Sequence, residues 1–185
     1  MELAYWRNAS RAESDARQRK ILELWGFAGA QSVLEIGTGP WGGCLPFVEA
    51  ECKAGIDPLY DEYARAGLLD MHPAIWRCLQ PIEMIEFRAE FDAVLSMNAL
   101  DHGESDFGSI ARVPQLLYKG GRFYLHVHLR RPDQLNVGHD HPLYLEDLDA
   151  ATAAAGLREI KKDVYEVDPV EGCAYRTVIG VWEKC

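Results

Sequence analysis

The segment Val33-Leu34-Glu35-Ile36-Gly37-Thr38-Gly39-Pro40-Trp41-Gly42 constrains the fold more than any other stretch. Val33, Leu34 and Ile36 have the apolar character of a central strand in a parallel sheet. Gly37 and Gly39 then permit backbone angles, and a close approach of another molecule, that a side chain would forbid. A buried strand that ends in a glycine-rich turn and opens a helix is a unit of an open α/β sheet. In such sheets the ligand sits beyond the carboxyl ends of the strands.

Gly37, Gly39 and Gly42 satisfy G-x-G-x-x-G, a pattern shared by dinucleotide sites and by plain strand-to-helix turns. Glu35 bears on that choice. A carboxylate two residues before the first glycine repels a pyrophosphate but suits a ligand that carries an ammonium and a sulfonium group. S-adenosylmethionine has both and no phosphate. The string E-I-G-T-G-P-W-G resembles the first motif, E/D-x-G-x-G, of the class I S-adenosylmethionine-dependent methyltransferases of small-molecule type. Pro40 and Trp41 depart from the smaller residues that many members carry there. The resemblance implies a Rossmann-like, seven-stranded, mostly parallel sheet with helices on both faces and a C-terminal antiparallel strand pair. It also implies S-adenosylmethionine as cofactor, held in part by Glu35, Gly37, Thr38 and Gly39, and a small-molecule acceptor.

The rest of the composition bounds the alternatives. At 185 residues the chain is expected to form one domain, with residues 1 to about 30 as a helical cap over the cleft. A formal charge of −10 opposes the basic footprint that phosphate backbones need, so a nucleic-acid substrate is not expected. No apolar run is long enough to span a membrane, and the start M-E-L-A-Y-W-R-N has no signal-peptide pattern, so a cytoplasmic monomer or homodimer is expected. Five cysteines without a C-x-x-C pair argue against a disulfide framework and against a thiolate zinc site.

Near the N-terminus Ser10 is placed to cap a helix, with Glu13 in the capping-box position and Ile21, Leu24 and Trp25 as the apolar side. By the resemblance such a helix lies over the cofactor cleft, where Tyr5 and Trp6 touch substrate or simply pack. After the glycine turn a helix from about Cys44 to Glu51 is expected, then a strand Cys52–Ile56 ending in Asp57-Pro58. An acid at the tip of the neighbouring strand, about 20 residues on, accepts hydrogen bonds from ribose hydroxyls or caps the helix expected over Leu59 to Leu69. The third strand is placed at Ala74 to Leu79. The following Gln80–Phe87 stretch is similar to the family's adenine-holding turn, which implies contacts from Gln80, Ile82 and Glu83.

Phe91–His102, F-D-A-V-L-S-M-N-A-L-D-H, reads as the fourth strand and its exit loop, and resembles the family's F-D-x-V-x-S-x-N-A-L-x-H segment. That implies Asp92 at the strand start, Ser96, Met97 and Asn98 facing the methionine part of the cofactor, and Asp101 and His102 on the acceptor side. A helix Ser109–Leu117 and a Lys-Gly-Gly turn lead into a fifth strand. Period two puts His126 and His128 on one face of it, and His139 and His141 follow in a returning loop. Only Asp140 offers an acid to this set, so a metal is not expected, and the histidines read as structural or as catalytic.

A hydroxyl acceptor needs a proton acceptor, for which His128, His141 and His102 are the candidates in that order. Arg130 and Arg131 join Tyr5, Trp6 and His102 as candidate acceptor contacts. From Pro142 an amphipathic helix is expected to stop at Gly156, and two strands joined through D-P-V-E-G-C close the chain. The rival readings are a non-catalytic S-adenosylmethionine-binding protein, a nicotinamide-dependent oxidoreductase, and a methyltransferase acting on protein or RNA. The last is disfavoured by the charge and by S-M-N-A-L standing where such enzymes carry Asn/Asp-Pro-Pro-aromatic.

Overall fold

The computed structural model describes residues 2–85, 90–102, 107–135 and 141–185, with Asp101 described by its backbone alone. His139 and Asp140, and the end of the Gln80–Phe87 stretch, lie outside the described residues.

Two helices, α1 (Glu2–Asn8) and α2 (Arg11–Trp25), precede the sheet. Ser10 caps α2 by accepting the Glu13 amide, and Gly26 ends it in the left-handed conformation (φ 67°) that glycine adopts without a steric penalty. There follow β1 (Ser32–Ile36), β2 (Cys52–Ile56), α3 (Tyr60–Arg65), β3 (Trp76–Cys78), β4 (Phe91–Met97), β5 (Leu117–Leu129), α4 (Leu145–Ala154), β6 (Leu157–Tyr165) and β7 (Arg176–Lys184). The seven strands form one sheet in the order β3-β2-β1-β4-β5-β7-β6. β3 to β5 run parallel, and β7 is antiparallel to both β5 and β6, which is the expected closing pair.

Period-two alternation divides the core into two layers. Ile21, Leu22 and Trp25 of α2 pack on Val33, Ala93, Leu95, Tyr124, Ile179 and Val181. The opposite face, with Leu34, Val94, Phe123, Leu125 and Val127, is covered by Ile110, Val113, Leu116 and Leu148. The Trp25 indole N–H donates to the Leu125 carbonyl at 3.0 Å, so α2 is fixed over β5 by a polar contact as well as by burial.

The helices are shorter than the sequence pattern suggests. Over Cys44–Glu51 there is only a 3-10 turn, Leu45–Phe47, because the backbone becomes extended at Val48 and the next residues bond to the segment before β1, Glu49 accepting the Ala30 amide and Glu51 donating to the Gln31 carbonyl. The 108–116 segment is also a 3-10 helix, with Pro114 inside it, running directly into β5. α4 begins at Leu145 and buries only Leu148 and Thr152, a narrower stripe than the pattern implied. Among the described residues no helix is long and apolar enough to cross a membrane.

Candidate active site

The carboxyl ends of β1, β2, β4 and β5 open on a cavity of about 450 Å³, within the range of small-molecule sites. The turn after β1 forms one wall. Gly37 has φ 73° and Gly39 φ 62°, and a Cβ on Gly37 would overlap the Cβ of Ala99 in the turn after β4. A Cβ on Gly39 would stand 2.6 Å from the Trp6 indole. Both glycines are therefore required by conformation and by contact. Asp57, at the end of β2, ties this wall together. Its Oδ2 accepts the Gly39 amide at 2.8 Å and its Oδ1 the Leu59 amide at 2.9 Å. Burial raises the Asp57 pKa, and the two amide hydrogen bonds counter it in part.

Glu35 lies elsewhere than the sequence reading places it. On β1 it shares the side of Val33, toward α2, fully buried beneath Gly43 and Cys44 and outside the cavity lining. Burial pushes its carboxyl up to about 8, against the lowering effect of the Cys44 and Leu45 amides. It supports the glycine turn from behind. Thr38 lines the cavity while its hydroxyl pairs with the Tyr60 hydroxyl at 2.5 Å.

Of the other residues singled out in the sequence, the structure brings Tyr5, Trp6, Pro58, Ile82, Glu83, Met97, Asn98, His102, His128 and Arg130 to the same cavity. Asn98 adopts φ 48°, a left-handed conformation that asparagine tolerates, and its Oδ1 is buried without a partner. Trp6 packs edge-on against Trp41 and Tyr63 and donates to Glu2 at 3.1 Å, so α1 closes one mouth of the cavity.

Besides Glu35, four candidates are not brought to the cavity. Gln80 is exposed, and Ser96 is fully buried inside the sheet because β4 points it away from the strand end. Arg131 is solvent-facing and pairs with Asp133 at 3.3 Å. His141 is exposed and outside the lining, although the Arg130–Leu143 bridge does return its loop to the end of β5.

The β5 end of the cavity holds residues that the sequence reading missed. The connector between β6 and β7 folds back over β5, and Asp168 plugs it in place. Asp168 Oδ2 lies 2.7 Å from both His126 Nε2 and His128 Nε2, while Oδ1 accepts the amides of Val170 and Glu171 at 2.6 and 2.7 Å. Burial by itself raises the Asp168 pKa, but the two imidazole hydrogen bonds outweigh it and hold the carboxyl well below its usual range. This clasp brings Glu171, Cys173 and Tyr175 to the cavity wall. Tyr175 stacks on His128 at 5.1 Å, with the Arg130 guanidinium 4.6 Å from the ring centre. Arg17 of α2 reaches Glu171 at 3.5 Å and the Tyr5 hydroxyl at 3.1 Å, joining the cap to the connector. One signal for Asp168 was present in the sequence: two same-face histidines on a buried strand require polar partners, and an Asp-Pro turn lies between the last two strands.

No protein-family model matches the chain, and no curated protein matches it. Solved structures do. The N-methyltransferase NodS of Bradyrhizobium japonicum, solved with S-adenosylhomocysteine, superposes with TM-score 0.69 at 16% identity, covering 97% of this chain and 91% of NodS. The 1,6-didemethyltoxoflavin-N1-methyltransferase of Burkholderia thailandensis, solved with its substrate and S-adenosylhomocysteine, gives 0.68 at 16% identity, covering 98% and 84%. The [4+2]-cyclase SpnF gives 0.68 at 15% identity, covering 96% and 83%. The chain therefore has the Rossmann-like fold of class I S-adenosylmethionine-dependent methyltransferases, a fold that also carries a cyclase.

Proposed function

We propose that this protein is an S-adenosylmethionine-dependent methyltransferase acting on a small-molecule acceptor, with an oxygen or nitrogen atom receiving the methyl group. The observation that carries the reading is the convergence on one cavity of the glycine turn, Asp57 and the Met97–Leu100 turn, with imidazoles at the other end. These residues fit the cofactor. The Gly37–Gly39 turn is a cradle that a Cβ would fill, each Asp57 oxygen has a lone pair beyond its one amide bond, and Asn98 Oδ1 is a buried acceptor awaiting a donor.

In this reading Asp57 accepts from the ribose, with Pro58, Ile82 and Glu83 beside the base. Met97 and Asn98 border the methionine portion together with Gly37, Thr38 and Gly39. Glu35 acts through the turn it supports. The bound cofactor supplies an electrophilic methyl on sulfonium. The protein holds the acceptor in line with it, and alignment of this kind is worth about 7–11 kcal/mol. Tyr5, Trp6, His102 and Arg130 contact the acceptor, and the proton of a hydroxyl acceptor passes to His128 or His102, both of which line the cavity.

A second reading, a protein that binds the cofactor without transferring its methyl group, is favoured by one observation, that a cyclase shares the fold. Methyl-labelled S-adenosylmethionine incubated with the protein and fractionated extract separates the readings. The proposal expects label in small metabolites and none in the protein or RNA fractions. Cofactor binding with no transfer to any fraction would leave the second reading.

A further inference from the structure

The Asp168 clasp gathers more donor chemistry than a loop anchor requires. His126 Nε2, His128 Nε2 and an Asp168 oxygen lie within 4.8 Å of one another, as do His128 Nε2, Glu171 and Cys173 Sγ. His126, His128 and Asp168 are all buried, on a rigid strand and a connector pinned by backbone amides. The Nδ1 atoms of both imidazoles are buried without partners, so all the polar chemistry of the two rings is aimed at one point. The Thr177 hydroxyl stands 3.3 Å from Asp168 Oδ2 and 3.0 Å from the Tyr175 carbonyl, linking the carboxylate to β7.

We propose that His126, His128 and Asp168 form a binding site for a zinc-class transition-metal ion at the acceptor end of the cavity, with Cys173, which groups with His128 and Glu171, closing on the ion as the fourth donor. Two imidazoles, a carboxylate and a thiol are the donor set of tetrahedral zinc, and nitrogen and sulfur donors exclude magnesium and calcium. With zinc bonds of about 2.3 Å to sulfur and 2.0–2.1 Å to nitrogen, a tetrahedral angle separates the two atoms by about 3.6 Å. Cys173 Sγ stands 3.6 Å from His128 Nε2. The carboxylate oxygen, now 2.7 Å from each imidazole, has to withdraw by roughly 0.6 Å for an ion to enter. Glu171, within reach of His128 and Cys173, supplies a replaceable fifth donor facing the cavity.

The use of the ion rests on the proposed methyl transfer, but its binding does not. A hydroxyl of the acceptor that displaces Glu171 becomes more acidic on the ion, and its proton leaves to His102 or solvent. His128 is then a ligand, and its removal affects transfer through the ion.

The test is a titration of the full chain, stripped by chelator, with zinc and separately with cobalt(II), in a Cys52→Ser, Cys185→Ser background that removes the two exposed thiols. One ion per chain is expected, with a thiolate-to-cobalt charge-transfer band that disappears in Cys173→Ser. Affinity is expected to fall by about tenfold or more in His126→Ala and in Cys173→Ser. Because His126 is wholly buried, Cys173→Ser, on the connector, is the variant that keeps the test sound if His126→Ala does not fold. No bound ion after dialysis against zinc would overturn the site, and so would binding that Cys173→Ser leaves unchanged with no thiolate band. Adenosylhomocysteine titrated into the same samples separates the two proposals. Ion binding without nucleoside binding removes the methyl-transfer reading and leaves the metal site. Nucleoside binding without ion binding does the reverse.

Discussion

Replacing Gly37 by alanine tests the geometry of the glycine turn at a point where two costs can be separated. The first is conformational: φ 73° is left-handed, a region that costs an L-residue about 1–2 kcal/mol. The second is steric, because the new methyl group would overlap the Cβ of Ala99, and forcing such a group into a packed site costs about 1–3 kcal/mol. The sum, about 2–5 kcal/mol, is a large part of the 5–15 kcal/mol that ordinary domains possess. The second cost has one source. With Ala99→Gly the next nearest atom to the new methyl is the residue 99 Cα at 3.5 Å, an ordinary contact. The double variant Gly37→Ala, Ala99→Gly should therefore recover about 1–3 kcal/mol and retain the conformational cost. Urea unfolding of the four proteins in the cycle, read as midpoints at constant slope, measures the coupling. Additive effects within about 0.5 kcal/mol would refute the contact between the β1 and β4 turns, and with it the shape assigned to the cavity wall.

His128→Gln should lower methyl transfer by about 10²–10⁴-fold while adenosylhomocysteine affinity stays within about twofold, measured by labelled transfer and by calorimetry. Glu35 should give the protein a pH-dependent stability of a particular sign. Its carboxyl is raised from 4.5 to about 8 in the folded state, so its contribution is complete below about 4.5 and is lost as pH rises through about 8. Wild-type stability in urea should fall by several kcal/mol over that window on this account, and Glu35→Gln should flatten the slope. A slope of opposite sign, or one that Glu35→Gln leaves in place, would show that the buried carboxyl is ionised at neutral pH.

The centre of the sheet was legible because β1 and β4 are buried on both faces and announce themselves as short, largely apolar runs, Val33–Ile36 and Phe91–Leu95. Gly37, Gly39 and Asp57 were legible for a related reason: a strand end that approaches a neighbour closely needs glycine, and an acid at the next strand tip has backbone amides to satisfy. The helix expected after Cys44 was not, because tertiary contacts decided it, the Glu49 carbonyl and Glu51 amide bonding to Ala30 and Gln31 in place of helical partners. The resemblance implies that Glu35 holds the ligand, whereas alternation along β1 places it behind the turn. Asp168 went unseen since its partners lie 40 and 42 residues away, a distance that only the antiparallel return of β7 on β5 closes. His141 and Arg131 lie outside the cavity lining although Leu143 bridges back to Arg130 at the end of β5, a placement that the polarity of the loop alone does not reveal.

The measurement that bears most directly on the account is calorimetric titration of adenosylhomocysteine into the wild-type chain and into Asp57→Asn. One molecule bound per chain is predicted, with NAD giving no heat. Loss of the Asp57 charge should weaken binding by about 10- to 150-fold, the worth of a hydrogen bond to a charged acceptor. Absence of binding to the wild type, or equal affinity in Asp57→Asn, would contradict the claim that the cavity at the ends of β1, β2 and β4 is a nucleoside site.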